Sequence, residues 1–536
     1  MDRLFDHIHN KHTPKLNRAV CDGVAVEHMR SIEGYIDRII RCAEEGFPEG
    51  LKYIDYERCT PQEEYNEVTR KRNNRRSFDL SRSDVYMVRY HFSFDGEELF
   101  PLFLYLPFVS DGGLIRLRGS LYSISPVLAD KAISVGQNSL FIPLTRDKLT
   151  FKRLIQHYYV NGKQENTYVI WSTVYHRSER SLRNAGKPTI KMESSLAHYL
   201  FCKYGLTRTF AQFADAEVVV GDETTITEQT HPQSEWFICS STGIKPRGLA
   251  RGAYTGSGIR LAVRTKEWSQ TVAGLVGGFF YIVDHFPERV LPEYVDNERL
   301  WKILLGHVIF ASHVSEGKLA EDIETHMISL DEYIDRMARD NLADDGVYVT
   351  NVFELFAHVI ETFAVRVMAS GDDIGSMYGK RLTVLRYVSE PIIRGIFGFM
   401  YRLRSAKKPV TKEDIQKNLK MIPTELILSI NYEHGEVKPI ASPSDNKIFN
   451  ITSNVVPQTS SKSGARASTK STLVDPSKFL HASIAEVGSF SHQPKSEPTG
   501  RSKLNPCVRT EPDGLIVRDP DKISLIDSVQ EKIRRR

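Results

Sequence analysis

Strand signals and helical periodicity occupy different stretches of this chain, and that segregation limits the folds open to it more than any other feature. VYMVRYHF (85–92) and FPLFLYLPF (100–108) read as strands and run into SDGG, a turn signal. LIRLRGSLYSI (114–124) alternates Ile115, Leu117 and Leu121 against Arg116, Arg118, Ser120 and Tyr122, the pattern of a half-exposed strand interrupted by Gly119. Helical spacing governs the rest. Val26, Met29, Ile32, Tyr35, Ile36, Ile39 and Ile40 recur at helical intervals. SSLAHYLFCKYGLTRTFAQF (194–213) reads as two helices broken at Gly205. Val352, Leu355, Phe356, Val359, Ile360, Phe363 and Val367 share one helix face, and WKILLGHVIFASHV is a further amphipathic helix. Residues 380–404 are helical in period, with Pro391 kinking the helix or marking its start. At 536 residues the chain exceeds one hydrophobic core, so the expected class is α+β and multidomain.

Composition excludes several alternatives. The longest apolar run, Val272 to Val283, has three glycines, is too short to span a bilayer, and reads as a buried strand or helix. MDRLFDHIHN lacks the apolar segment of a secretory signal. The six cysteines (Cys21, Cys42, Cys59, Cys202, Cys239, Cys507) form no CxxC pair, which argues against a disulfide framework or structural zinc and fits a reducing cytoplasm. The net charge of +4 means that any polyanion must be met by local patches rather than a global field.

No self-sufficient active site emerges. His307, His313 and His326 with Glu316 and Glu321 lack the short fixed spacing of a metal site and read as structural or surface groups. GAYTGSG (252–258) has neither the Walker ending nor the GxGxxG order, so it reads as a loop in a sheet. The acidic pairs Asp344-Asp345 and Asp372-Asp373 could bind magnesium, but nothing places them together in space, and they read as helix caps or turns. No nucleophile signature appears. Three acid-poor tracts are more informative: RKRNNRR (70–76), residues 242–266 with six Lys/Arg and no acid, and residues 446–474, a flexible basic loop or linker. Singly each suits a solvated face; together they favour a polyanion partner.

The order of four segments resembles the β subunits of multisubunit RNA polymerases. PFVSDGGLIRLRGSLYSISPV (107–127) is similar to the family's "P-l-M-T-d-x-G-t-F-v-i-N-G-x-E-R", with Pro107, Gly113 and Gly119 in matching places and Ser120 and Leu121 where the family has Glu-Arg. GKPTIKMESSLAHYLFCKYGLTRTFAQF (186–213) resembles the segment that opens the family's lobe. GDDIGSMYGKRLTVLRYVSEPIIRGIF (371–397) matches "D-D-r-D-h-x-G-n-K-R-l" through Asp372, Asp373, Gly379, Lys380, Arg381 and Leu382. SFSHQPKSEPTGRSKLNPCVRTEPDGLIV (489–517) looks like "l-S-H-x-R-R … C-P-x-E-T-P-E-G", with Cys507, Pro512, Asp513 and Gly514 on the C, P, E and G, and with Pro494 and Lys495 near the place of the two arginines.

The resemblance spans roughly residues 25–517 and implies the N-terminal half of a split β subunit, like the polymerases of giant phages of the phiKZ type. It implies a first part of the protrusion at 1–155, a lobe at 156–370, returning protrusion helices at 371–440, a fork with a mobile basic loop at 441–520, and a tail at the split point at 521–536. It further implies one wall of the DNA cleft, holding nucleic acid through the backbone, with Lys462, Arg466, Lys470, Lys495, Arg501, Lys503 and Arg509 near phosphates. This chain would hold no cofactor and no catalytic residue; magnesium would be bound by another subunit. Implied partners are the C-terminal half of the β-like subunit, β′-like subunits, a phage specificity subunit, the DNA template and the RNA transcript, with no membrane. The setting would be the host cytoplasm or a phage-made compartment in it. Two rivals are a free-standing nucleic-acid-binding or packaging protein and a hydrolase or nucleotidyltransferase acting alone. The first explains the basic tracts but not the ordered motifs; the second lacks a compact site.

Overall fold

The computed structural model of the chain describes residues 17, 20, 24–70, 80–110, 114–124, 126–129, 132–136, 139–144, 148–171, 194–243, 256–309, 315–331, 333–369, 377–383, 385–404, 409–422, 437–440, 454–457, 483–488, 502–505, 507–511 and 514–518. Helices and sheets are mixed throughout, as expected of an α+β protein. Two compact units divide the chain: Met1–Lys131 together with Asp372–Arg536, and Ala132–Gly371.

In the first unit the strand Val85–Phe94 pairs antiparallel with both Leu51–Arg58 and Leu102–Pro107. The helix Ile32–Glu44 packs on Leu51–Arg58 with Ile32, Ile36, Ile39 and Ile40 buried, the helical stripe seen in the sequence. Burying each isoleucine contributes roughly 1.5–3 kcal/mol. A second helix, Leu385–Arg404, returns from far along the chain to pack on Ile32–Glu44. Its Phe399 meets Phe47 edge-on at 6.1 Å, and Phe47 in turn lies 6.2 Å from Phe92 of the sheet. Pro391 stands inside this helix, six residues past its first residue, and so does not start it.

Gly119 does not interrupt a strand. It closes a two-residue hairpin between Leu114–Leu117 and Ser120–Ile124, with Leu117 opposite Ser120. Arg118 (φ 54°) and Gly119 (φ 81°) both take positive φ, the backbone that matches the twist of two paired strands. Val437–Ile440 adds a third strand beside Ser120–Ile124.

The second unit holds an eight-stranded sheet around the long strand Lys148–Val160. Its main order is Ser194–Ser195, Lys163–Trp171, Lys148–Val160, Phe237–Ser241, Ile259–Arg264, Glu217–Asp222. Residues 148–152 also pair with Ser139–Pro143. The strand therefore runs unbroken through 155/156, and the division between units falls at 131/132, ahead of the strands that share its sheet. Gln270–His285 carries the apolar run as a helix whose residues from Thr271 to Asp284 are all buried. Ser269 starts it by accepting from the Val272 N–H at 3.2 Å. Leu196–Tyr204 and Leu206–Ala214 flank Gly205, and Val352–Ala369 buries Val352, Leu355, Phe356, Val359, Ile360 and Phe363, as the periodicity predicts. Trp301 sits fully buried among Phe201, Phe279 and His198, its indole N–H donating to the Val295 carbonyl at 2.6 Å.

Candidate functional site

Six short segments of the first unit form one ladder. In order across it they are 509–510, 516–517, 379–383, 127–129, 454–457 and 502–503. Strands of two to four residues cannot stand alone; each is held by a partner far away in sequence, about fifty residues for 502–503 on 454–457 and more than a hundred for the pairings of 379–383, or by the tight 509–517 hairpin. Gly379 N–H donates to the Ile516 carbonyl at 3.0 Å, Ile516 N–H to the Lys380 carbonyl at 2.8 Å, and Leu382 N–H to the Gly514 carbonyl at 2.9 Å. On the far side Arg381, Leu382 and Thr383 pair with Ala129, Leu128 and Val127. Under the ladder Val20, Met377, Leu382, Val487, Leu504, Val508 and Ile516 make a separate buried cluster.

Side chains lock the junction. Asn17 donates from Nδ2 to the Val508 carbonyl and to Thr510 Oγ1, both at 2.8 Å. The buried Ser483 hydroxyl accepts from Met377 N–H at 2.8 Å. Tyr378 donates its hydroxyl to the Glu486 carboxylate, and the Arg518 guanidinium lies 5.5 Å from the Tyr378 ring centre. Burial, and next the bond to Glu486, push the Tyr378 phenol up to about 12. Asn505 turns the chain before the hairpin: its N–H donates to the Val487 carbonyl at 2.8 Å, and its Oδ1 accepts from Cys507 N–H at 3.0 Å.

The sequence-derived residues thus fall into three groups. Gly379, Lys380, Arg381 and Gly514 meet in the ladder, as does Arg509, which is exposed on the strand opposite Val517, and Lys503 on the strand opposite Asn454. Gly119 forms a turn elsewhere in the same unit. Gly113, Asp372, Asp373, Lys462, Arg466, Lys470, Lys495, Arg501, Pro512 and Asp513 lie outside the described residues. Within the tract read as a loop at 446–474, residues 454–457 are instead a strand, because they complete the ladder beside 127–129. Asn17, Tyr378, Ser483 and Glu486 were missed. Only Tyr378, inside a matched motif, carried a sequence signal.

The other candidates resolve into ordinary roles. His307 Nε2 accepts from Arg289 at 2.6 Å, and Arg289 also pairs with Glu316 at 3.2 Å; burial and then Arg289 lower the His307 pKa. His326 Nε2 lies 3.2 Å from the Tyr199 hydroxyl, and burial lowers it to about 4. His313 lies outside the described residues, as do 71–76 of the first basic tract and 244–255 of the second. The two arginines of 259–264 are not free cations: Arg260 pairs with Glu223 at 3.5 Å and Arg264 with Glu217, acids supplied by a neighbouring part of the fold. Asp345 accepts from Ile133 N–H at 3.2 Å. Among the described residues no three His, Cys, Asp or Glu side chains are placed to hold a metal, and no helix is long and apolar enough to cross a membrane.

No curated protein matches the chain. The family described as non-virion RNA polymerase subunit matches residues 1–530. That span takes in both units and every strand of the ladder, and it favours the polymerase reading over a free-standing nucleic-acid-binding protein. With nearly its whole length inside one family, the chain belongs to the non-virion RNA polymerase subunits and is one subunit of a phage transcription enzyme.

Proposed function

We propose that this subunit is the N-terminal half of a split β-like subunit, of the type found in phiKZ-like giant phages, and that it forms one wall of the DNA cleft. In this reading residues up to about 131 and the returning helix 385–404 belong to the protrusion, the 132–371 unit is the lobe, and the segments after 440 are the fork. The chain positions nucleic acid through phosphate contacts, while the two magnesium ions and the residues that form the phosphodiester bond sit on other subunits. The C-terminal β-like half, β′-like subunits and a specificity subunit complete the enzyme in the cytoplasm of the infected host.

One observation carries the reading. Three of the four matched segments, widely separated in sequence, meet in space: Val127 pairs with Thr383, and Leu382 with Gly514. Motifs that share one ladder are what a common ancestral core requires; unrelated chance matches would scatter. The test is purification of the polymerase from infected cells with identification of its subunits. A second chain bearing the remaining β-like half should accompany this one, and enzyme lacking this chain should not transcribe. Transcription by a complex without it, or phosphodiester formation by this chain alone, overturns the proposal.

A further inference from the structure

A cavity of about 740 Å³ opens in the second unit where the end of helix Leu206–Ala214, the start of helix Gln270–His285 and helix Val352–Ala369 come together. Three exposed carboxylates line it, Asp215, Glu267 and Glu361. Other acids of this unit are matched, Glu217 on the strand Glu217–Asp222 by Arg264 and Glu223 just after it by Arg260, whereas among the described residues no cation pairs with these three. Thr271 also lines the cavity; it is only 6% exposed, and its hydroxyl has no hydrogen-bond partner among the described residues. Gln270 and Thr271 stand in the first turn of their helix, where backbone N–H groups have no intrahelical acceptor. Beyond Glu361, Val365 (64% exposed) and Met368 (81% exposed) continue the same helix face at helical spacing.

We infer that this cavity is a docking notch for a lysine- or arginine-bearing segment of another polymerase subunit. The three carboxylates take its cationic side chains. The Thr271 hydroxyl and the free N–H groups of the helix start take its backbone carbonyls. Exposed Val365 and Met368, further along the Glu361 helix face, take apolar neighbours. Nucleic acid is the wrong occupant, because phosphates would face three negative charges at close range. That the partner is a polymerase subunit rests on the family to which the chain belongs; the notch chemistry does not depend on the β-like assignment.

The test is made in the assembled polymerase. A photo-crosslinking amino acid placed at Met368 should couple to a Lys- or Arg-bearing peptide of another subunit, read by mass spectrometry. Glu267→Lys with Glu361→Lys should lower that yield about tenfold, as reversal of charges at an interface does. Glu267→Gln with Glu361→Gln should cause a smaller loss, and both variants should keep the melting temperature and circular dichroism of the parent chain. Coupling to nucleic acid, coupling only within this chain, no coupling, or a yield indifferent to charge reversal each overturns the notch. If any of these occurs while the chain still co-assembles and the enzyme transcribes, the polymerase reading stands and only the notch falls.

Discussion

The carbonyl oxygen of Leu382 fills the space in which a side chain on Gly514 would begin. Leu382 also donates its N–H to the Gly514 carbonyl at 2.9 Å, so the two residues touch along both backbones. Gly514 has φ +83°, a conformation that L side chains rarely adopt. Glycine is therefore required twice, by the turn that begins with the Gly514 N–H bond to Glu511 at 2.9 Å and by the strand that docks on it.

Gly514→Ala should accordingly destabilise the ladder by about 2–4 kcal/mol, combining positive-φ strain with displacement of the 379–383 segment. Thermal unfolding of the full chain and the protease sensitivity of residues after 500 measure it. A variant as stable as the parent would show that the two segments do not pack this closely.

What was legible in the sequence was local. Val352–Ala369 and the pair of helices around Gly205 announce themselves because a helix buries side chains every three or four residues within one stretch. The ladder does not. Its strands, such as Arg381–Thr383 and Val127–Ala129, are too short to show a period, and their partners lie far away in the chain. Motif order pointed to Gly379–Leu382 and Gly514 separately, but nothing in either said that they touch. The Arg118-Gly119 turn was hidden because arginine is an unusual residue at positive φ. The basic tract at 242–266 misled for a related reason: the acids that neutralise Arg260 and Arg264, Glu223 and Glu217, precede it in sequence and reach it through the sheet.

Acid should weaken the second unit before it protonates most carboxylates. His198 is buried with Nε2 3.0 Å from the Trp301 carbonyl, and burial lowers its pKa from 6.5 to about 3; His326 is lowered to about 4. Both are neutral in the fold and charge on unfolding, so their contribution is complete above about pH 6.5 and is lost as pH falls from there toward 4 and 3. Each should cost about 1.6 kcal/mol between pH 6.5 and 5, since one pH unit corresponds to about 1.4 kcal/mol per proton and the unfolded imidazole is already half protonated at about pH 6.5. Denaturant unfolding of the full chain at the two pH values gives the measurement, and His326→Gln should remove about half of the loss. Stability that is level from pH 7 to 5 contradicts the burial of these imidazoles.

The polymerase should be insensitive to rifampicin. In the resembling family the drug is held at the S-H-x-R-R element, which here reads SHQPK (491–495) without either arginine. Each lost hydrogen bond to a buried polar ligand costs about 1–3 kcal/mol, and two suffice to take a tight inhibitor out of its working range. Transcription by the purified complex should continue at drug concentrations that stop a sensitive bacterial enzyme. Inhibition in the low micromolar range, by contrast, would mean that other side chains rebuild the pocket.

The basic stretch that follows the strand Asn454–Pro457 should lie close to DNA. Residues 458–474 contain Lys462, Arg466 and Lys470, and their single acid-free run stands between two strands of the ladder, 454–457 and 502–503. If these three side chains meet DNA phosphates, each should contribute about 0.9 to the slope of log affinity against log salt on duplex DNA. Replacing all three with serine should then lower the slope by up to about 2–3 units and shorten the life of the open complex, without changing the subunit composition of the enzyme. A solvated linker would behave differently: it would leave both the slope and the rate of elongation where they were, because no counterions are released from DNA by groups that never approach it. The same experiment run on Arg509→Ser, an exposed side chain on the 509–517 hairpin, asks whether the hairpin itself faces the DNA, with one phosphate contact worth about 0.9 of slope and no contact worth none.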